Sequence, residues 1–89
     1  MYKPQIHESI CKELNITYKA KNKDYGDSFT KTRKEYPEAI IIRLMDKLER
    51  LKTLYKLGVS EVDESIDDTL LDLGNYAIME LVERQIERG

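Results

Sequence analysis

The sequence lacks tryptophan and has only one cysteine, one histidine and two prolines in 89 residues. A single cysteine excludes an intrachain disulfide, and one cysteine with one histidine cannot build a structural zinc site. Long apolar runs are also missing, since none exceeds the length of residues 39–42, which is too short for a signal-peptide core or a membrane span. We therefore expect a cytoplasmic protein with no membrane partner.

Charged residues are abundant, at 36% of the chain, but their signs are unevenly distributed. Residues 1–36 carry a net charge of +3 and residues 37–59 carry +2, whereas residues 60–89 carry −7. Mutual neutralisation on folding is enough to account for this asymmetry. The total of −2 gives little of the attraction that drives binding to phosphate backbones, so a nucleic-acid partner is not expected.

Apolar residues recur at helical spacing in three segments, which predicts an all-α fold. We expect a single all-helical domain over residues 1–89, with helices at about 5–22, 37–57 and 61–88 and a basic loop at 23–36. The loop prediction rests on the turn-forming composition around Gly26. Because Gly58 ends the second helix and the link to the third is short, those two long helices should form an antiparallel hairpin.

The third predicted helix has two apolar sectors on a helical wheel. We expect Ile66, Leu70, Leu73, Ala77 and Leu81 to form the core stripe. A second apolar sector is more than one small hairpin needs, and it predicts a homo-oligomeric helical bundle. That sector contains Leu71, Ile78, Val82 and Ile86.

An acidic sector lies on the same helix and contains Glu64, Asp68, Asp72 and the amide Asn75. It becomes apolar one turn later, so we expect it to be covered by the first helix or by another subunit. Covered carboxylates need a partner, because buried unpaired charge is costly. Two alternatives stay open: the carboxylates pair with Lys and Arg, or they bind Mg²⁺ together with a substrate phosphate.

The second predicted helix carries a further carboxylate pair, Asp46 and Glu49. These side chains can be solvated beside local basic partners, or they can add metal ligands. The pattern Asp46-x-x-Glu49 followed by Glu64-x-x-Asp67 resembles the E-x-x-E…E-x-x-D signature of MazG-like all-α nucleoside triphosphate pyrophosphohydrolases. The resemblance implies Mg²⁺ on helix-borne carboxylates and cleavage of a triphosphate to monophosphate and pyrophosphate. Asp46 departs from it by standing where the family has glutamate.

A resemblance over more of the chain involves the segments 21–29, 43–51 and 64–76, with sequences KNKDYGDSF, RLMDKLERL and ESIDDTLLDLGNY. In this order they resemble the type-one nucleotide modification associated domain, a family of small phage and prophage proteins. The resemblance implies a role around nucleotides in a phage-infected or lysogenic bacterial host, without fixing a reaction.

Candidate nucleotide-binding residues follow from these segments and their chemistry. Lysines near the predicted loop could hold phosphates and its aromatic rings could stack on a base, although Phe29 is expected to pack inside the domain. Basic residues of the second helix would hold a phosphate tail. The candidates are Lys21, Asn22, Asp24, Tyr25, Gly26, Arg43, Lys47, Arg50, Asn75 and Tyr76.

Two functions of different classes fit these candidates. The first is a Mg²⁺-dependent, MazG-like pyrophosphohydrolase, in which metal would neutralise phosphate charge and activate water. Its expected ligands are Glu64, Asp68 and Asp72, helped by Asp46 or Glu49. The alternative is a non-catalytic oligomeric sponge, which sequesters cyclic-nucleotide or ADP-ribose immune signals of the host and needs no metal.

Overall fold

The structure is a computed structural model that describes residues 2–25, 27–58 and 62–89, with side chains except those of residues 24, 25 and 62–64. These residues form four α-helices and no strand, so the all-α prediction is confirmed. None of these helices is both long and apolar enough to cross a membrane. The helices are α1 (Lys3–Tyr25), α2 (Ser28–Glu35), α3 (Ala39–Leu57) and α4 (Val62–Arg88).

Helices α3 and α4 form the predicted antiparallel hairpin. In three side-chain contacts, the residue number on α4 falls by as much as the residue number on α3 rises, which defines the direction and register of the pair. Gly58 ends α3 in the left-handed region with φ of 63°, where glycine has no Cβ to clash. The three contacts join Arg43 to Tyr76, Lys47 to Asp72 and Arg50 to Thr69.

The predicted basic loop at 23–36 is largely helical, and the prediction was wrong for residues 28–35. Helix α1 continues to Tyr25, and α2 begins after a turn at Asp27. The sequence of α2, SFTKTRKE, contains no proline or glycine, so nothing in it opposes a helix. The chain leaves α2 at Tyr36 because the residue before a proline avoids helical backbone, and α3 starts at Ala39 rather than at Pro37.

The hairpin has a small core whose position on α4 differs from the predicted stripe. Leu51 and Leu54 of α3 are buried with 8% exposure each, and the most buried polar side chain is Thr69 at 2%. Leu70 and Leu81 are 48% and 58% exposed, so their assignment to the core was wrong. Thr69 can replace a leucine there because its hydroxyl donates to the carbonyl of residue 65 at 2.7 Å.

Helix α1 crosses α4 at Gly74 and Asn75. The Asn75 side-chain amide donates to the carbonyl oxygen of Leu14 at 3.2 Å. A Cβ built on Gly74 would lie 3.9 Å from a Leu14 methyl group, which shows how closely the two helices approach. This crossing covers part of the acidic sector, and it matches the first of the two covers expected for that face.

An ionic cluster holds α2 against the C-terminal half of α4. The Arg33 guanidinium donates to both carboxylate oxygens of Glu80 at 2.9 Å each, in a bidentate pair. It also donates to Glu87, while Thr30 donates to Glu83. The hydrogen bonds that Arg33 donates to Glu80 and Glu87 raise the pKa of Arg33 above its ordinary value. The hydrogen bond from Arg33 lowers the pKa of Glu87.

Candidate functional site

A cavity of about 320 Å³ lies where all four helices meet. Each helix contributes polar or aromatic side chains to its wall, because α1 and α2 both pack on the side of the hairpin that carries the Lys47–Asp72 contact. Its volume is at the lower end of the range for small-molecule pockets. The wall is formed by Tyr18, Lys21 and Asn22 of α1, Ser28 and Phe29 of α2, Arg43 and Lys47 of α3, and Asp72, Asn75, Tyr76 and Met79 of α4.

One wall of the cavity is an arginine beside two neighbouring aromatic rings. The Arg43 guanidinium carbon lies 5.4 Å from the centre of the Tyr76 ring and 5.9 Å from the centre of the Phe29 ring. The two ring centres are 6.4 Å apart with planes inclined at 34°. Arg43 also donates to the Tyr76 hydroxyl at 3.4 Å. These contacts fix a positive charge at the cavity surface by cation–π attraction.

A neighbouring part of the wall contains two lysines that share one carboxylate. Lys47 Nζ lies 3.2 Å from one Asp72 oxygen, and Lys21 Nζ lies 3.9 Å from the other. Lys21 comes from α1 and Lys47 from α3, so Asp72 joins the two helices across the cavity. Lys21 is largely exposed, with 61% of its side-chain surface accessible, whereas Lys47 is at 28%. Both ammonium groups remain within reach of an incoming ligand.

The described charged side chains that line the cavity have an excess of positive charge. Lys21, Arg43 and Lys47 contribute three cations, and Asp72 contributes one anion. Half-enclosed walls reduce the screening of these charges by water, which strengthens their attraction for an anion. The cavity is therefore suited to an anionic ligand with one flat aromatic or heteroaromatic part.

A second cavity of about 320 Å³ lies on the other side of Asp72, between α1 and α4. Asp68 and Asp72, one turn apart on α4, line it together with Glu13 of α1. Asp72 and Asn75 belong to both cavities, so the cationic and acidic regions share a wall. Across the described part of the chain, no three carboxylate, histidine or cysteine side chains converge closely enough to hold a metal ion.

Several predicted site residues lie elsewhere. Asp46 and Glu49 are exposed on α3 and line neither cavity, and Glu49 accepts a hydrogen bond from Lys52 at 3.0 Å. Arg50 donates to the buried Thr69 hydroxyl at 3.3 Å, one turn beyond Lys47 and outside the cationic cavity. Gly26 and the side chains of Asp24, Tyr25 and Glu64 lie outside what the structure describes.

The structure brings six of the predicted nucleotide-binding residues into one cavity, together with the predicted metal ligand Asp72. It also adds residues that sequence reasoning assigned to packing or overlooked: Tyr18, Ser28, Phe29 and Met79. Tyr18 could have been found, because it stands three and four residues before Lys21 and Asn22 and shares their helix face. The six predicted residues are Lys21, Asn22, Arg43, Lys47, Asn75 and Tyr76.

The fold and the cavity define a small all-helical protein with a cationic, aromatic-walled pocket. The model of the family described as nucleotide modification associated domain 1 matches residues 21–83, which is more than half of the chain. The chain belongs to this family. The matched range contains every residue that lines the cationic cavity except Tyr18. No curated protein and no solved structure shows significant similarity to the chain.

Proposed function

We propose that this protein binds a phosphorylated nucleotide in the cationic cavity, with its phosphates at Lys21, Arg43 and Lys47 and its base beside Phe29 and Tyr76. The observation that carries the proposal is the convergence of three cations and two aromatic rings on one cavity of about 320 Å³. The proposed function also agrees with the family description, which associates the domain with nucleotide modification.

The proposed phosphate contacts follow from the geometry of the three cations. The rings hold the Arg43 guanidinium at the wall, so little side-chain entropy would be lost when it donates to a phosphate. The two lysines are paired with a single carboxylate, and each ammonium has three donors. A phosphate can accept hydrogen bonds from the ammonium N–H groups that Asp72 leaves unused.

The proposed base contacts use the aromatic wall and the two amides of the cavity. Tyr18, Phe29 and Tyr76 line the cavity, and an aromatic ring offers a surface on which any base can stack. Asn22 adds donors and an acceptor, whereas the Asn75 nitrogen is committed to Leu14 and leaves its oxygen free for a base edge. The volume suits one nucleotide better than an oligonucleotide.

We favour binding without turnover as the form of this activity. Both oxygens of Asp72 already face lysine ammonium groups, which would compete with a metal for this carboxylate. Recognition of phosphate by lysine and arginine side chains alone is what a sponge for nucleotide signals requires. In this version the protein lowers the free concentration of its ligand and releases it unchanged.

A Mg²⁺-dependent pyrophosphohydrolase is the second candidate, and one observation favours it. Asp68 and Asp72 line one groove and stand directly beside the proposed phosphate site. Mg²⁺ is commonly held by one or two carboxylates together with substrate phosphates, so these two residues fit the ion only when a nucleotide is present. The ion would supply charge neutralisation and an activated water. The protein's own contribution would be to hold the phosphates in line.

Isothermal titration of the full chain with ATP, GTP, a cyclic dinucleotide and ADP-ribose, each with and without Mg²⁺, tests the proposal. We expect at least one of these ligands to bind in the absence of metal. Lys47→Met should weaken that binding by about tenfold to a hundredfold, because it removes one charged hydrogen bond to phosphate. Lys52→Met is the matched control, since Lys52 is exposed on the same helix and pairs with Glu49.

The outcomes separate the two candidates. Equal loss in both lysine variants, or no binding by the unmodified protein to any ligand in the panel, would refute the proposed site. Binding that needs Mg²⁺, with pyrophosphate release that Asp68→Asn abolishes, would establish the hydrolase. Metal-free binding with the ligand recovered intact would establish sequestration.

A further inference from the structure

One side of the helical hairpin is an exposed apolar surface. Ile41, Met45 and Leu48 recur at i, i+4 and i+7 along α3, so they share a face, and they are 57%, 58% and 49% exposed. Leu70, Ile78 and Leu81 share a face of α4 at i, i+8 and i+11, with exposures of 48%, 43% and 58%. We call these six residues the outer apolar face.

The register of the hairpin places both halves of the outer apolar face on the same side. In an antiparallel pair of right-handed helices, the residues that follow the contact positions on each helix lie on one side of the pair. Leu48 follows Lys47 of α3, and Leu70 follows Thr69 of α4. The cationic cavity lies on the opposite side of the pair. Helix α1 borders the outer apolar face at Gly74, where the Leu14 side chain approaches α4.

The chain exposes more surface than a typical folded monomer of its mass. Its accessible surface is 7309 Å², whereas a folded monomer of 10.5 kDa is expected to expose roughly 5,400 Å². The excess of roughly 1,900 Å² matches the 1,000–2,500 Å² or so that each chain buries in an obligate homodimer. The radius of gyration points the same way, at 14.8 Å against about 12 Å for a compact chain of this length.

The core of the single chain is correspondingly small. Among the described residues, Leu51 and Leu54 are the buried apolar side chains, and both keep 8% exposure. A hairpin with so little buried apolar surface gains stability if it covers the outer apolar face. We propose that a second copy of this chain packs against this face through the same face of its own, around a two-fold axis. This pairing leaves the cationic cavity open on the far side.

Sedimentation equilibrium of the full chain, from about 1 to about 100 µM, tests the pairing. We expect the unmodified protein to show at least twice the chain mass and a melting temperature that rises with concentration, because dimer stability depends on protomer concentration. Ile41→Glu should weaken self-association by about a hundredfold or more, since it places a charge in an apolar contact. Ile16→Glu is the control, because Ile16 is 67% exposed on α1.

The melting data keep the test decisive even where Ile41→Glu does not fold. A monomeric unmodified protein whose melting temperature does not change with concentration would overturn the proposal, and it would assign the outer apolar face to a different partner. Self-association that Ile41→Glu leaves unchanged, or that Ile16→Glu weakens equally, would overturn the choice of face. Loss of self-association in Ile41→Glu alone supports it.

Discussion

Most surface helices turn apolar residues inward and polar residues to solvent, whereas α4 turns several polar residues inward and several apolar residues to solvent. The face that contacts the rest of the chain carries Thr69, Asp72, Tyr76 and Glu80, and each of these side chains has a hydrogen-bonding partner. The face turned to solvent carries exposed apolar residues, among them Leu81 at 58%. Within one chain, the inner packing of this helix combines these polar contacts with half-buried apolar residues such as Leu73 and Ala77.

This difference shows that polar residues can pack on the inner face of a helix when each polar group has a hydrogen-bonding partner. Buried polar groups destabilise a protein when they are left unpaired. The described part of the structure contains no buried side-chain nitrogen or oxygen without a hydrogen-bond partner. The inner face of α4 therefore serves both as packing surface and as cavity wall, whereas the exposed apolar residues lie on its other face.

Truncation of one leucine on each side should give the largest separation between the two faces. Leu51→Ala is expected to lower the free energy of unfolding by about 2–4 kcal/mol at every protein concentration, because Leu51 is buried in the small core of the hairpin. Leu70→Ala makes the same change at a 48% exposed site. Its effect should be present at high concentration, where chains pair, and should diminish on dilution. Urea denaturation at two protein concentrations measures both.

The comparison fails if Leu70→Ala costs as much as Leu51→Ala at the lowest concentration. Leu70 would then be a core residue of the single chain, as the helical wheel indicates. Circular dichroism of both variants before denaturation shows whether each retains its helices.

Sequence periodicity was sufficient for the helices and their pairing but not for the orientation of α4. The wheel ranks positions by apolar character, so it selected Leu70 and Leu81 for the core. It could not recognise that Thr69 would satisfy its hydroxyl within its own helix and be buried. The helix α2 was missed for a related reason, because the turn residues around Gly26 were extended to cover a neighbouring segment that contains no helix breaker.

The sequence predicted those residues of the candidate site that lie within the three family segments. Lys21, Arg43 and Lys47 were found this way. The ion pairs could not be derived, because the sequence does not show that Lys21 of α1 and Lys47 of α3 meet at the same carboxylate. The positive charge of residues 1–36 also does not all belong to the site, since Arg33 pairs with Glu80 and Glu87 instead.

Removal of the carboxylate from the inner face should sharpen the functional side of the comparison. Asp72→Asn frees the ammonium groups of Lys21 and Lys47, so metal-free binding of a nucleoside triphosphate should tighten by about tenfold, or about 1.4 kcal/mol. Asp67→Asn is the control, because Asp67 is exposed on the same helix and lines neither cavity. Calorimetric titration without Mg²⁺ measures the difference. An unchanged affinity in Asp72→Asn would mean that the two lysines do not contact phosphate.

Acid should release α2 from the inner face before it unfolds the hairpin. The pKa of Glu87 is lowered by Arg33, so its contribution to docking is complete above the unfolded pKa, about 4.3, and is lost as pH falls through the lower folded pKa. Hydrogen exchange of the α2 amides should therefore quicken at about pH 4 and below relative to the α3 amides. Arg33→Met should show the same rapid exchange at neutral pH, whereas Lys34→Met, at an exposed neighbouring position, should not.

The smallest expected effect comes from two glycines that border the hairpin contacts. Gly74 lies inside α4, and its added Cβ would meet only a Leu14 methyl group at 3.9 Å, which is an ordinary contact. Gly74→Ala should therefore raise the free energy of unfolding by about 0.5–1 kcal/mol, because alanine favours the helix and restricts the unfolded chain. Gly58→Ala should lower it by about 1 kcal/mol, because φ of 63° is strained for a residue with a Cβ, although the space around it is open. Urea denaturation at one fixed concentration compares them. Opposite signs would confirm that α4 runs unbroken past α1 and that the turn after α3 has the described conformation. A lower free energy of unfolding in Gly74→Ala would mean that Leu14 lies closer to Gly74 than the 3.9 Å distance indicates.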